Sequence, residues 1–558
     1  MSVGANGIRS MDRAFRKRDS RTSTVSAKPS ASSSKSSAPS MVSLLNYNFK
    51  HSKSGVTKDQ WRVLWKAARK RSPWLKLLRP HQRNGVRAGS CIDGFAALYA
   101  QRSGKTWVTG AILDVEKDVT HDALLVGPLT NLKSTWAKFL NEKLPWYSVH
   151  LSLETYLEQK KYDETRHKAF GTPIGNRILL LNYEAVDSQI KSLLKIKWDR
   201  TIYDEAQRLK NRTSIASKNA WKLGRISKRR IALTGTPMDL DEKDLWAIMR
   251  FVDVSVFGSS FPTWNKEYVQ PVNIDMSKKK GMVARNRAIL QKRIAEKKAP
   301  LHKKGKKRFI KKIAPHAMRI SEEDAGLIKP NIHVVPVKLH KKERRVYDEL
   351  EKNMVVKHKG VVVKTPLKIV QMGKLQQITG GYLKDEDGEV HRIGKGKRVA
   401  LAEVLEEHIE DEPFVIFCKF VWEVHAIADL LSELGWPKRS VARLWGKVKD
   451  LKKDPVRTQM LLDFQAGKYD VIVCQQRTGG VGVDLYRARK AFVYSLGHSY
   501  IDYSQMVARL GFLDKKTADD FFLLLAENTI DTDIYTGVTR KQSITNIFYD
   551  RLNNRANR

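Results

Sequence analysis

The residues best suited to chemistry in this chain are two adjacent carboxylates and a lysine about a hundred positions upstream. Asp204 and Glu205 close a strand-like run within Thr201-Ile-Tyr-Asp-Glu-Ala-Gln-Arg208, where three mostly apolar residues lead straight into two acids. A buried parallel strand delivers acids in this way at its carboxyl end, where open α/β sheets place their ligands. In that position Asp204 can hold Mg²⁺, and Glu205 can orient or deprotonate an attacking water. Taken alone, the pair is more often a helix start or a solvated turn. Its companion is Tyr99-Ala-Gln-Arg-Ser-Gly-Lys-Thr106. This loop lacks the first glycine of G-x-x-x-x-G-K-[ST] but keeps the core of the pattern. Backbone N–H groups at Ser103 and Gly104, the Lys105 ammonium and the Thr106 hydroxyl can meet phosphates and Mg²⁺. A phosphate-binding lysine and a metal-binding acid on neighbouring strands make the two halves of a nucleoside triphosphate site. Gln82, just upstream, carries an amide that donates and accepts at once and so can read adenine; a surface glutamine is the plainer reading.

Positioning these groups requires strands that end at one edge. Apolar strand-like runs recur at Ala123–Val126, Arg177–Tyr183, Thr201–Asp204 and Arg230–Pro237, each ending in small, polar or hydroxyl-bearing residues. Helical stretches such as 132–140 and 244–252 alternate with them, which argues for βαβ units and a parallel sheet. A second set follows beyond about 331: Val334–Leu339, Phe414–Phe420, Ser440–Gly446, Asp470–Cys474, Ala491–Tyr494 and Phe521–Leu525. The expectation is an α/β protein with two doubly wound parallel-sheet lobes and a nucleotide between them. No short internal repeat is evident.

With 558 residues the chain is long enough for two real cores. The 103 Lys+Arg against 59 Asp+Glu give a net charge of +44, an excess that points to a polyanion, most simply nucleic acid. No apolar run reaches the roughly 18 residues of a spanning helix, so membrane residence is not expected. The three cysteines, Cys91, Cys418 and Cys474, lack metal-site spacing, which argues for a reducing, intracellular compartment and against structural zinc. Residues 1–55 are rich in Ser, Ala, Lys and Arg and are expected to be a disordered basic tail; the composition also suits an organelle transit peptide. Between 278 and 312 lie sixteen Lys/Arg and one Glu, about a third of the whole excess. The bland reading is a solvated linker. Because it falls between two α/β halves, a basic insertion gripping phosphates through Lys278, Lys279, Lys280, Arg285, Lys306, Lys307 and Arg308 is the functional alternative, sequence-blind and salt-dependent.

In order along the chain, Leu78-Arg-Pro-His-Gln82, Ser103-Gly-Lys-Thr106, Pro128 with Trp136, Asn182-Tyr183, Asp204-Glu-Ala-Gln-Arg-Leu-Lys-Asn211, Leu233-Thr-Gly-Thr-Pro237, Asp244-Leu-Trp246, Thr478-Gly-Gly-Val-Gly-Val-Asp-Leu485 and Gln505-x-x-x-Arg509 stand as a set. This set resembles the Swi/Snf branch of the superfamily 2 helicases, in the compact form found in viruses and bacteria, over about 75–558. The resemblance implies two RecA-like lobes, at 56–265 for ATP binding and 331–558 for the C-terminal helicase domain, with a basic helical insertion at 266–330. It also implies ATP and Mg²⁺ as ligands and a monomeric motor on duplex DNA, with single strands or RNA as the alternatives.

Residue by residue, the resemblance gives Gln82 to adenine, Lys105 to the phosphates, Thr106 and Asp204 to magnesium and Glu205 to the water. Gly482 and Asp484 would face the nucleotide from the second lobe, and Arg509 would be an arginine finger. Pro128, Thr130, Asn182, Thr234, Thr236, Thr478 and Gly479 would line the nucleic-acid surface. Local roles compete for two of them, since Asn182 suits a helix cap and Thr130 the N-cap of the next helix. The chain departs from the family at Arg102, which takes a loop glycine's place, and at Gln207, whose amide can bridge the lobes where a histidine is usual. It departs again at Phe512, where a second arginine is expected and where Lys515 or Lys516 could stand in. Loss of that arginine keeps open a nucleic-acid clamp with weakened turnover.

Overall fold

The computed structural model describes residues 58–235, 243–271, 299–358, 361–365, 367–409, 412–437, 440–446, 456–476, 485–512 and 515–540. The tail 1–55 and the candidates Thr236, Lys278, Lys279, Lys280, Arg285, Thr478, Gly479, Gly482 and Asp484 lie outside the described residues.

Seven strands build the first sheet: β1 (Gly94–Tyr99), β2 (Asp122–Val126), β3 (Tyr147–His150), β4 (Asn176–Leu181), β5 (Arg200–Asp204), β6 (Arg229–Thr234) and β7 (Ala317–Ile320). They run in the order β3-β4-β2-β5-β6-β1-β7, and every pairing is parallel. Alternation along each strand feeds two cores, one per face. Ala96, Leu98, Leu124, Val126, Leu179 and Tyr203 point to one, while Phe95, Ala97, Leu125, Ile178, Leu180 and Ile202 point to the other. A sheet covered on both faces needs apolar residues at both parities, which is why these strands read as continuous apolar runs.

The second lobe starts with β8 (Asn331–Val337), carries two hairpins, β9 (Val355–His358) with β10 (Val361–Lys364) and β11 (Tyr382–Lys384) with β12 (Val390–Arg392), and continues through β13 (Phe414–Cys418), β14 (Val441–Leu444), β15 (Val471–Gln475), β16 (Lys490–Val493) and β17 (Asp520–Ala526). Its six-stranded parallel sheet has the order β14-β15-β13-β16-β17-β8. Here too Val415 and Phe417 face one core while Phe414, Ile416 and Cys418 face the other. The expected architecture of two doubly wound lobes is therefore present.

The boundary expected at residue 265 is corrected. After the helix Phe261–Tyr268 the described chain resumes at 299, forms the helix Lys303–Ile313 and adds β7 beside β1. The described end of the basic stretch thus belongs to lobe one. The physical reason is Phe309: within Lys-Lys-Gly-Lys-Lys-Arg-Phe-Ile-Lys-Lys-Ile it faces the core, stacked on Phe257 at 4.9 Å and packed against Trp264 and Tyr268. Burying one such ring contributes roughly 2–3 kcal/mol, enough to dock a short helix whose other faces are charged. Lys306 and Lys307 remain exposed on those faces, while Arg308 bonds Glu267 at 2.8 Å. No helix among the described residues is long and apolar enough to cross a membrane.

Candidate active site

Five neighbouring strands of lobe one, β4, β2, β5, β6 and β1, present their carboxyl ends along one edge, and the candidate residues follow directly from them. From β1 the chain turns through Tyr99–Gly104 into the helix Lys105–Val115. Gly104 sits at φ 88°, and a side chain there would also meet the Gln82 amide, 2.1 Å from where its Cβ would stand. Both facts require glycine. Arg102 takes a left-handed φ of 64°. A residue with a Cβ pays about 1–2 kcal/mol for that conformation, so the missing glycine is a real departure of backbone as well as of charge.

Gln82 and His81 pin this turn from the helix Pro80–Cys91. Gln82 Nε2 donates to the Ser103 carbonyl at 3.1 Å and its Oε1 accepts from the Arg79 amide at 2.9 Å. His81 Nε2, 3.0 Å from the same carbonyl, must carry the proton of that bond; burial lowers its pKa and keeps the ring neutral. Ser103 Oγ donates to the Ala100 carbonyl. Lys105 reaches back to the carbonyls of Tyr99 and Ala100, at 3.2 and 3.1 Å. Burial lowers its pKa, opposed by Glu205 and Asp204. An ammonium in that position gains from an anion beside it. Thr106 follows on the first turn of the same helix.

Asp204 ends β5 and is held by more groups than the sequence reading assigned. Trp136 Nε1 donates to Asp204 Oδ2 at 2.9 Å, Asn131 Nδ2 reaches the same oxygen at 3.4 Å, and the Glu205 amide donates to Oδ1 at 2.9 Å. The helical run after β2 contains a π segment at Leu132–Ala137. Its wider turn brings residues five apart, Asn131 and Trp136, onto one carboxylate oxygen, a use of π geometry common at functional sites. The tryptophan was legible as a motif residue; its donor role was not, although an indole N–H can only donate.

Glu205 occupies the left-handed region, φ 52° and ψ 48°, which turns its carboxylate off the strand axis. Gln207 Nε2 donates to Glu205 Oε2, and Gln207 Oε1 accepts from Thr234 Oγ1 at 2.7 Å. Gln207 therefore bridges β5 to β6 inside lobe one, a correction to the expected bridge between lobes. The Tyr183 hydroxyl donates to the backbone carbonyl of Asp204 at 2.8 Å. Asn182 caps its own helix, its Oδ1 accepting from the Ala185 amide. Thr130 does not cap: Pro128 holds the N-cap position, and Thr130 lies inside the first turn with its carbonyl accepting from Ser134.

Burial, aided by Glu205, raises the Asp204 pKa from the ordinary 3.8 to about 6, against the bonds from Trp136, the Lys105 charge and Asn131. A carboxyl raised in the folded state contributes stability below the unfolded value that is lost as pH rises through the folded one, here between about pH 4 and 6. In EDTA at pH 7.5, Asp204→Asn is therefore expected to unfold a few degrees above the natural protein, on the order of 1–2 kcal/mol of added stability. Calorimetry showing an unchanged or lowered midpoint would contradict this. Asp204 and Thr106 offer hard oxygen donors, which suit a magnesium ion that would take its other ligands from phosphates and water. Among the described residues no three His, Cys, Asp or Glu side chains converge as a closed metal centre.

In lobe two the helix Tyr500–Val507 holds Gln505 and is followed by Arg509, both buried. Arg102 crosses from the loop to meet it, Nε donating to the Ala508 carbonyl at 3.1 Å and Nη2 to the Arg509 carbonyl at 3.2 Å. Phe512 is half exposed and packs edge-on against Tyr486 at 5.9 Å. Lys515 does not take the place of the expected arginine, since its ammonium is bound by Asp519 and the Leu510 carbonyl.

Two parallel-sheet lobes meeting over a lysine-bearing phosphate loop define the class of two-lobed, helicase-like nucleotide-binding proteins. The SNF2-related domain matches residues 35–383 and the helicase conserved C-terminal domain residues 396–511, and the chain belongs to the SNF2-related family. It is similar to Protein CHROMATIN REMODELING 5 of Arabidopsis thaliana, 24% identical over 77% of this chain and 24% of that protein. It is also similar to a putative ATP-dependent helicase/translocase, YwqA, of Bacillus subtilis, 24% identical over 75% of this chain and 43% of that protein. The chain thus spans less than half the length of either relative. Among solved structures it is similar to the Sulfolobus solfataricus SWI2/SNF2 ATPase core in complex with dsDNA, at 22% identity and a TM-score of 0.34, covering 84% of this chain and 92% of that one.

Proposed function

We propose that the chain is a nucleic-acid-stimulated ATPase that moves along duplex DNA with little sequence preference, inside a reducing compartment. The observation that carries this reading is the convergence at one sheet edge: the Lys105 loop from β1, the Asp204-Glu205 turn from β5, and the Arg509 segment of lobe two fastened to that loop. Lys105 would neutralise the β and γ phosphates, Glu205 would orient the attacking water and accept its proton, and Arg509 would meet charge on the γ-phosphoryl group from the opposite wall. Thr106 and Asp204 would hold magnesium, which when bound neutralises phosphate oxygens. Gln207, bonded to both Glu205 and Thr234, ties the position of the general base to the end of β6. Gln82, whose amide already serves the loop, would contact adenine only by giving up one of its bonds to Arg79 or Ser103. Pro128, Thr130, Asn182 and Thr234 share the carboxyl edge and would track phosphates; Lys306 and Lys307 supply exposed charge for the same polyanion.

A second reading, a clamp with weakened turnover, is favoured by Phe512, which puts a ring and no charge at the second arginine position while Lys515 is committed to Asp519. Steady-state ATP hydrolysis with duplex DNA, single-stranded DNA and RNA across a salt series separates the readings. Duplex DNA is expected to stimulate most. If six to ten phosphates are contacted, its apparent affinity should fall by about 10³–10⁵ between about 50 and 200 mM salt. Stronger stimulation by RNA or single strands points instead to a strand-separating helicase, and no turnover with any polymer leaves the clamp.

A further inference from the structure

Arg102 breaks two local rules at once. It stands in a left-handed turn that favours glycine, and it puts a guanidinium in a loop that already carries the Lys105 ammonium. Its side chain does not point along the loop but across the cleft. Nε and Nη2, which lie on one edge of the planar guanidinium, each reach one of two successive carbonyls, those of Ala508 and Arg509. These carbonyls follow the eight-residue helix Tyr500–Val507, at the end where peptide oxygens lack intrahelical partners and the helix dipole is negative. The Arg509 carbonyl also accepts from the Leu485 amide at 3.2 Å. One backbone oxygen is thereby gripped from both lobes.

We propose that Arg102 is a cross-lobe strut, a positioning residue that sets the Arg509 segment on the nucleotide loop before ATP arrives. The inference rests on the reading above for the role assigned to Arg509, but the contact consists of protein groups alone and does not depend on turnover. Its consequence is that part of the closure otherwise driven by nucleotide is already made. A ligand that must first collect the lobes binds more weakly the smaller the fraction already collected.

The three native cysteines are buried, so a donor and acceptor dye pair on Glu158→Cys and Glu406→Cys, both exposed, reports the distance between lobes in the full chain. The parent is expected to show one narrow distance distribution without nucleotide. Arg102→Gly, which suits the backbone turn and removes the strut, should show a broader and longer one that ADP with beryllium fluoride restores. Arg102→Lys, which keeps the charge but loses the paired donors, should fall between them. The KM for ATP should rise roughly five- to tenfold in Arg102→Gly while kcat at saturation stays within about twofold. Identical nucleotide-free distributions in the parent and Arg102→Gly would overturn the strut. The distance signal also separates the two readings: an opened cleft in Arg102→Gly supports the strut even if the parent hydrolyses no ATP, whereas an unmoved cleft in an active ATPase removes the strut alone.

Discussion

Lys105→Ala is expected to lower nucleic-acid-stimulated ATP hydrolysis by at least ~100-fold, and Glu205→Gln to do the same while leaving nucleotide binding close to normal. The two variants fail for different reasons. Lys105 lies in a partly enclosed loop, bonded to the carbonyls of Tyr99 and Ala100. Removing the ammonium leaves triphosphate charge uncompensated where the dielectric is low, so binding and turnover fall together. Glu205→Gln keeps the shape of the site. An amide oxygen can still accept from Gln207 Nε2, so the chain from Thr234 through Gln207 stays connected and only the base is lost. Steady-state rates beside titration with a fluorescent ATP analogue read both effects. Equal rates in the parent and both variants would leave the site without hydrolytic chemistry.

For Arg509→Ala a loss on the order of a thousandfold in kcat is expected, with KM for ATP little changed. The backbone of residue 509 is held through its carbonyl, by Leu485 from its own lobe and by Arg102 from the other. Truncating the side chain leaves those bonds in place, so the loss measures the guanidinium rather than the docking of the segment. Arg509→Lys should recover little, since a point charge cannot make the paired contact of a planar fork. Phe512→Arg in the same assay asks whether the second position limits the natural protein, and a rate above the parent is the expected result. Full activity in Arg509→Ala would remove lobe two from the chemistry.

Both lobes were legible because each strand is covered on both faces, and apolar runs such as Ala123–Val126 and Phe414–Cys418 carry that signal without long-range information. The carboxyl-edge site was legible for the same reason: Asp204 and Lys105 stand where such runs end. What escaped was short or distant. The strand Ala317–Ile320 is four residues with an exposed arginine, directly after a lysine-rich helix, and its composition gives no hint that it borders the loop strand. The hairpin Val355–Lys364 mixes valines with lysines and lacks a turn dipeptide. Trp136 was noticed, but its bond to Asp204 depends on a π turn that no spacing rule marks. Arg102 was recognised as a missing glycine. Its partner lies 406 residues away, and only the folded chain brings the two together.

The strand β7 has a mechanical consequence. Its last residue, Ile320, accepts from the Ala100 amide at 2.8 Å, inside the turn that carries Lys105, and β8 of the other lobe begins at Asn331. A tether of ten residues, 321–330, therefore joins the far lobe to the hydrogen bond beside the phosphate turn. Within it the helical turn Glu322–Ala325 is docked on lobe one, with Ala325 and Leu327 against the core that holds Phe95 and Ala97, so a displacement of the far lobe meets that anchor before it reaches Ile320 and the backbone of Ala100. The link between the lobes therefore behaves as a hinge with a fixed foot: its free length is the few residues after Leu327, and the hydrogen bond beside the phosphate turn is sheltered from the far lobe by that foot.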